Sequence, residues 1–346
     1  MSLAMSSGLI LATFALSAWL TRRFTDPASL FHVLDHPNER SLHQRPVPRS
    51  GGVAILMALA AGGALIPLAS GELPGTLVWI AGTALSLGVI SFAEDRFGIQ
   101  RRYRLLAHAL AALSLPVAGL VPAELEVGRD FLYLAPALGL GLTLLFGVWM
   151  INLYNFMDGM DGFAGGMAVA GFGALSVAGF TAGEPAYGLA NALVAAAATG
   201  FLLWNFPPAR IFMGDSGSTV LGYLAAASVL WAERDGILPL WASLLIFSPF
   251  VVDASVTLVQ RLLRGERVWL PHRRHYYQRL VRLGWGHRKT VLRAYLLMLL
   301  CAGTALQGAR TAGSDPLWLL AMWGVVYGMI AWKVRLMESR QEADRP

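Results

Sequence analysis

Apolar residues in this 346-residue chain gather into long runs, without the short alternations of a water-soluble fold. The runs lie near 6–21, 52–70, 76–93, 105–121, 131–151, 163–182, 186–204, 217–232, 237–260, 291–308 and 316–332. A helix rising about 1.5 Å per residue needs about 20 apolar residues to cross the bilayer core. The shorter runs reach that span with tilt or local thinning. The pattern therefore predicts an all-α polytopic membrane protein of eleven transmembrane helices, read as one membrane domain over residues 1–346. The first run has few charges before it and no small-residue cleavage site, so it reads as a retained span and not a signal peptide. Turns such as 70–75 and 182–185 are too short to hold an extracellular domain.

Composition agrees. The chain is 56% hydrophobic and 14% charged, against about a quarter charged in soluble domains. Its mean hydropathy is +0.55. The formal charge of +6 raises nucleic acid as a partner, but its distribution excludes it. With the N-terminus outside, the inner loops and tail hold 24 of the 27 Lys and Arg residues, leaving Arg129, Arg234 and Arg310 outside. That bias places the C-terminus in the cytoplasm. The lone Cys301 sits in an apolar run and reads as buried packing.

Chemistry-capable side chains concentrate in inner segments 22–51, 94–104, 152–162, 205–217 and 261–290. In the third, Asn152, Asn155, Asp158 and Asp161 directly follow an apolar run. Charges at a membrane boundary are costly to desolvate and are kept mainly where they have a job. Two Asp three residues apart share one face of a helical turn, and hard oxygen ligands so placed suit Mg²⁺, which in turn suits phosphate. Two helix-capping Asp are the alternative. The first segment offers Arg45 and Arg49 as forked donors for phosphate oxygens, and Gly51-Gly52 would let backbone approach a ligand. The second opens on the adjacent carboxylates Glu94-Asp95, which call for a cation or a shared proton. In the fourth, Phe212-Met213-Gly214-Asp215-Ser216-Gly217 fits either a helix cap or a nucleotide pocket. In the fifth, His272, Arg273, Arg274 and His275 suit anion binding, proton donation or attraction to anionic lipid. Zinc is disfavoured by the absence of nearby Cys and of a His-Glu-x-x-His run. All five segments fall on one side of a topology derived from charge alone.

Together these residues resemble the polyprenyl-phosphate N-acetylhexosamine-1-phosphate transferase family, glycosyltransferase family 4. The likeness rests on N-x-x-N-x-x-D-G-x-D-G at 152–162 and F-M-G-D-S-G at 212–217. The first loop and the H-R-x-H run look most like the branch that initiates O-antigen chains. Glu94 stands where the family usually has Asp, and Val47 and Ser50 stand where this branch often has Thr and Gly. The resemblance implies Asp215 as leading Mg²⁺ ligand, with Asp158 beside it and Mn²⁺ as an alternative occupant. It places Glu94 and Asp95 toward the lipid phosphate, Asp95 as candidate base, and Asp161 near uracil. Phe212 would stack on uracil. His272 and His275, with Arg274 and Arg49, would hold phosphates, and Asn152 and Asn155 would support the substrate site.

The implied reaction moves an N-acetylhexosamine-1-phosphate from a UDP-sugar to undecaprenyl phosphate, releasing UMP, as a first membrane step of O-antigen or other envelope glycan synthesis. The sequence leaves open the sugar, direct or covalent displacement, and a homodimer. A nucleotide-sugar or lipid transporter would call for mid-span polar residues and repeat symmetry. A CDP-alcohol phosphotransferase would call for D-G-x-x-A-R, but Gly162-Phe163-Ala164-Gly165-Gly166 lacks the Arg.

Overall fold

The computed structural model describes residues 3–37, 42, 44–71, 73–98, 100–127, 130–268, 270, 272–311 and 316–343. Residues 38–41 and 43 of the first polar segment, and 269 and 271 of the fifth, lie outside them. The helices in chain order are α1 (Leu3–Phe24), α2 (Gly51–Gly63), α3 (Ile66–Ser70), α4 (Gly75–Phe97), α5 (Arg101–Val117), α6 (Pro136–Met157) and α7 (Phe163–Ala182). They continue with α8 (Pro185–Asn205), α9 (Asp215–Arg234), α10 (Leu240–Ile246), α11 (Ser248–Leu263), α12 (Tyr276–Leu280), α13 (Gly286–Arg310) and α14 (Pro316–Ala343).

Every predicted run carries helix, but not always one unbroken helix. The 52–70 run divides into α2 and α3, with Pro67 in the first turn of α3. The 237–260 run bends by 83° at Phe247, between α10 and α11. Pro249 follows that break in the first turn of α11, where its missing N–H costs nothing. Eight described helical spans are long and apolar enough to cross a membrane, and the bent pair makes up to nine. α5 and α9 are the two predicted spans outside that set. α5 is 17 residues long and opens on arginines, while α9 opens on Asp215, Ser216, Ser218 and Thr219.

The fold is all-α in class, as expected, with a small β addition. Two short antiparallel hairpins occur, β1 (Leu34–Asp35) with β2 (Val47–Pro48), and β3 (Glu124–Val127) with β4 (Asp130–Tyr133). β4 takes the start of the 131–151 run because Phe131, Leu132 and Tyr133 pair with Glu126, Leu125 and Glu124, and Pro136 then begins α6.

The core is organised around α9, of whose 20 residues 16 are buried. It packs against α6 and α4, and also against α2 and α7. Gly222 allows the α6 contact, since a Cβ there would lie 2.5 Å from Met150 O. Large apolar side chains instead face outward on the peripheral helices, such as Leu110 on α5, Leu299 on α13, and Trp318 and Trp332 on α14. An apolar exterior of this extent marks a multi-pass membrane protein.

Candidate active site

All five polar segments meet at one end of the bundle. The first and fourth are paired through backbone: Phe212 N–H donates to Pro48 O at 2.7 Å, Gly51 N–H to Phe212 O at 3.0 Å and Gly52 N–H to Met213 O at 2.8 Å. The expectation that Gly51-Gly52 admits a ligand is corrected here. A Cβ on Gly51 would strike the Phe201 ring, and one on Gly52 would strike the Gly217 backbone, so the pair serves helix packing.

Asp95 closes the last turn of α4 against the start of α9. Its Oδ2 accepts the Ser216 N–H at 3.1 Å, a favourable place for a carboxylate at a helix N-terminus. Its Oδ1 lies 3.7 Å from Arg49 Nε, and the Arg49 guanidinium also donates to the Asp95 carbonyl. Arg49 reaches Asp35 at 3.8 Å as well, so the first segment is tied to α4. Asp95 is buried, whereas Glu94 is half-buried and pairs with Arg104 at 3.1 Å. Arg104 lies 3.5 Å from Asp215 Oδ2, and Asn155 Nδ2 donates to Asp215 Oδ1 at 2.7 Å and to Ser218 Oγ at 3.0 Å. Asp215 is thus held from both sides, with its carboxylate half-exposed.

Asp158 ends α6 with no side-chain hydrogen-bond partner among the described residues. Its place deep in the cleft, and then the negative field of Asp215, Asp95 and Asp35, push its carboxyl well above the usual range. A crowd of hard oxygen donors of this kind fits a divalent cation. Among the described residues no three acidic, His or Cys side chains already close on one point. Mg²⁺ does not require that, because it keeps several waters and uses one or two carboxylates plus phosphate. Asp215 and Asp158 fit that donor set.

Asp161 has another setting. Its Oδ2 accepts the Ala209 N–H at 3.0 Å, and its Oδ1 lies 3.0 Å from His287 Nδ1. It joins the third segment to the fourth and to the start of α13. Phe212 is half-buried on the paired loop. Asn152 turns back to Val148 O at 2.7 Å and faces His108 of α5.

In the fifth segment, His275 is buried with Nδ1 3.3 Å from Asp253 Oδ1. Asp253 also accepts the N–H groups of Tyr276 and Tyr277 at 2.9 and 3.1 Å, capping α12. The Tyr277 hydroxyl donates to Phe156 O at 3.1 Å, seating α12 against the third segment. The His272 ring lies 4.8 Å from that of His275, tilted by 37°. Burial, then the positive charge of His275, Arg261 and Arg274, lower its pKa to about 4. Its Nδ1 accepts the Arg274 N–H at 3.2 Å, so the neutral ring carries its proton on Nε2. Arg274 is exposed and paired with Glu266.

Arg104, His108, Asp253 and His287 escape a motif-led reading. Asp253 left a usable signal, being a lone carboxylate inside an apolar run. Arg104 lies nine residues beyond Asp95, across a loop whose fold the sequence does not show.

Comparison with known proteins fits this geometry. Residues 77–233 match the family model for glycosyl transferase family 4. A probable undecaprenyl-phosphate N-acetylglucosaminyl 1-phosphate transferase of Bacillus subtilis is 31% identical over 284 residues, covering 77% of this chain and 74% of the relative. A decaprenyl-phosphate N-acetylglucosaminephosphotransferase of Mycolicibacterium smegmatis is 31% identical over 326 residues, covering 83% and 77%. An undecaprenyl-phosphate alpha-N-acetylglucosaminyl 1-phosphate transferase of Yersinia pestis is 28% identical, covering 87% and 86%. Relatives so named, with the apolar helices of the fold, define a membrane-embedded transferase. The chain belongs to the polyprenyl-phosphate N-acetylhexosamine-1-phosphate transferase family.

Proposed function

We propose that the protein transfers N-acetylhexosamine-1-phosphate from a UDP-sugar to undecaprenyl phosphate at the cytoplasmic face of a bacterial inner membrane. The observation that carries this reading is the convergence of Glu94, Asp95, Asp158 and Asp215 with Arg49 and Arg104 from separate segments at one end of the bundle. A lipid seat lies beside it. A groove of about 590 Å³ runs between α4 and α5, lined by Val78, Trp79, Leu87, Ile90, Leu110 and Ala111. Ile90 is one turn from Glu94, so a prenyl chain in the groove delivers its phosphate to Glu94 and Arg104. Carboxylates at helix ends suit chemistry at the interface better than passage through mid-span.

In this reading a lipid phosphate oxygen attacks the sugar-bearing phosphorus. A new P–O bond forms, the bond to the bridging oxygen breaks, and UMP departs with that oxygen. Arg49 and Arg104 offset charge on the phosphates, and the folded loops hold the attack in line. Asn155 orients Asp215, and His272 donates Nε2–H to a phosphate oxygen. Asp215 and Asp158 would hold Mg²⁺, which would supply Lewis acidity to the phosphoryl oxygens. Phe212 and Asp161 flank the uracil. The names of the relatives favour GlcNAc as the sugar, and the first loop favours a place at the start of O-antigen or related envelope glycans.

The test is purified protein with undecaprenyl phosphate and a panel of UDP-N-acetylhexosamines, with Mg²⁺ and with chelator. UMP release together with a lipid-linked diphosphate sugar is expected only with metal. No UMP from any donor sinks the reading.

A further inference from the structure

The end of the bundle that bears the carboxylates also holds a second, basic cavity. It has a volume of about 420 Å³ and lies between the last turn of α1 and the end of α8. Arg22, Arg23, Thr25, Asp26, Trp204 and Arg210 line it, and none of the candidate catalytic side chains does. The guanidinium carbons of Arg22 and Arg210 lie 5.9 and 5.6 Å from the centre of the Trp204 ring system. The indole N–H donates to Ala18 O at 3.1 Å, which fixes the ring as a platform. Cations over an aromatic face gain from the ring quadrupole.

Basic groups outnumber acids in the lining, three arginines to Asp26. Among the described residues, none of the three guanidinium groups has a carboxylate within ion-pair distance. Asp26, the acid in the lining, turns Oδ1 to the Ala28 N–H at 2.9 Å. Three planar forks around one space match the oxygens of a phosphate. The cavity exceeds a bare phosphate in size and leaves room for a small polyol or sugar. Trp204 and the end of α1 lie at the end of apolar spans, where aromatic and basic residues typically meet lipid headgroups.

We propose that this cavity binds a phosphate ester, held by Arg22, Arg23 and Arg210 against Trp204. Its occupancy is linked to the site through the loop that carries Arg210. The Arg210 N–H donates to Trp204 O at 2.8 Å, and the preceding Ala209 N–H donates to Asp161 at 3.0 Å. An anion clamped on Arg210 steadies the segment that positions Asp161.

The full-length protein in mild detergent is titrated with phosphatidylglycerol, phosphatidylcholine and glycerol 3-phosphate, and bound copies are counted by native mass spectrometry. The triple variant Arg22→Gln/Arg23→Gln/Arg210→Gln is compared with Lys333→Gln/Arg335→Gln/Arg340→Gln, which removes equal charge from the end of α14. The first is expected to weaken phosphatidylglycerol binding by on the order of tenfold or more, the second by less than about twofold. Equally tight glycerol 3-phosphate binding, lost in the first triple alone, assigns the site to a soluble ester. Equal loss in both triples, or loss in neither, overturns the proposal. If the Gln triple fails to fold, Arg22→Lys/Arg23→Lys/Arg210→Lys decides. It keeps the charge but not the forks, so several-fold weaker binding supports the site and unchanged binding overturns it.

Discussion

Asp215 and Asn155 form a donor–acceptor pair whose members have unequal parts. Asp215 presents charge to the cleft, while Asn155 orients it through a 2.7 Å hydrogen bond. Asp215→Ala should therefore cost at least about 100-fold in turnover, the scale of losing a preorganised charge. Asn155→Ala leaves the carboxylate in place, and its loss should be nearer tenfold. A smaller loss for Asp215→Ala than for Asn155→Ala in the UMP-release assay would reverse these roles.

His272 supports a pH prediction. Its folded pKa of about 4 lies below the ordinary 6.5, so the folded protein keeps the ring neutral while the unfolded chain takes a proton below 6.5. Its contribution to stability is complete above about pH 6.5 and is lost as pH falls toward 4. As a neutral Nε2–H donor it adds no limb near pH 6.5 to kcat/KM. His272→Gln should lower activity by about tenfold and leave the profile's shape unchanged between pH 5.5 and 8. A wild-type limb near 6.5 that disappears in His272→Gln would show the ring acting as a cation.

At the scale of elements, helix contacts depend on residues too small to be replaced. Gly222→Ala places a methyl 2.5 Å from Met150 O and forces α6 and α9 apart. The expected cost is about 1–3 kcal/mol of stability, read as a lowered thermal midpoint in detergent. Gly173→Ala, at a position with open space around its would-be Cβ, should be near neutral.

The sequence reading had unequal reach among these elements. Runs of apolar residues located the long helices, because desolvation acts on composition alone, while α12 lies inside the polar fifth segment and was not among them. The break at Phe247 was hidden, since both limbs of the bend are apolar and only Pro249 marks it. Phe131 to Tyr133 look like the start of a span and become a strand because Glu124 to Glu126 return alongside them. In the site, the motif carboxylates were legible as residues. Their partners were not, because the Arg104 contact to Asp215 and the Asp253 contact to His275 join positions that only the folded chain brings together. Asp95 shows the same limit, since its hold on the Ser216 N–H depends on α9 arriving beside α4.

For the whole molecule, the charge ledger predicts that Glu184 faces outward and Arg264 inward. In a Cys301→Ala background, Glu184→Cys should react with an impermeant thiol reagent in intact cells. Arg264→Cys should react only after permeabilisation. The reverse pattern would invert the protein and place the carboxylate cleft outside.

The burial of α9 also bears on how the protein is made. A nascent helix enters the bilayer unaided only when its apolar surface outweighs its polar groups, and α9 begins with Asp215, Ser216, Ser218 and Thr219. Of the helices that pack against it, α2, α4, α5, α6 and α7 precede it in the chain, and α10 follows it. By the time the ribosome releases α9, a receptacle for it exists. Ser91 meets the Thr219 hydroxyl at 2.9 Å and Asn155 meets that of Ser218 at 3.0 Å. The polar groups that would keep α9 out of lipid are the ones this receptacle accepts, so direction of synthesis becomes order of assembly: the central helix docks first, and the fifth segment closes the site after it.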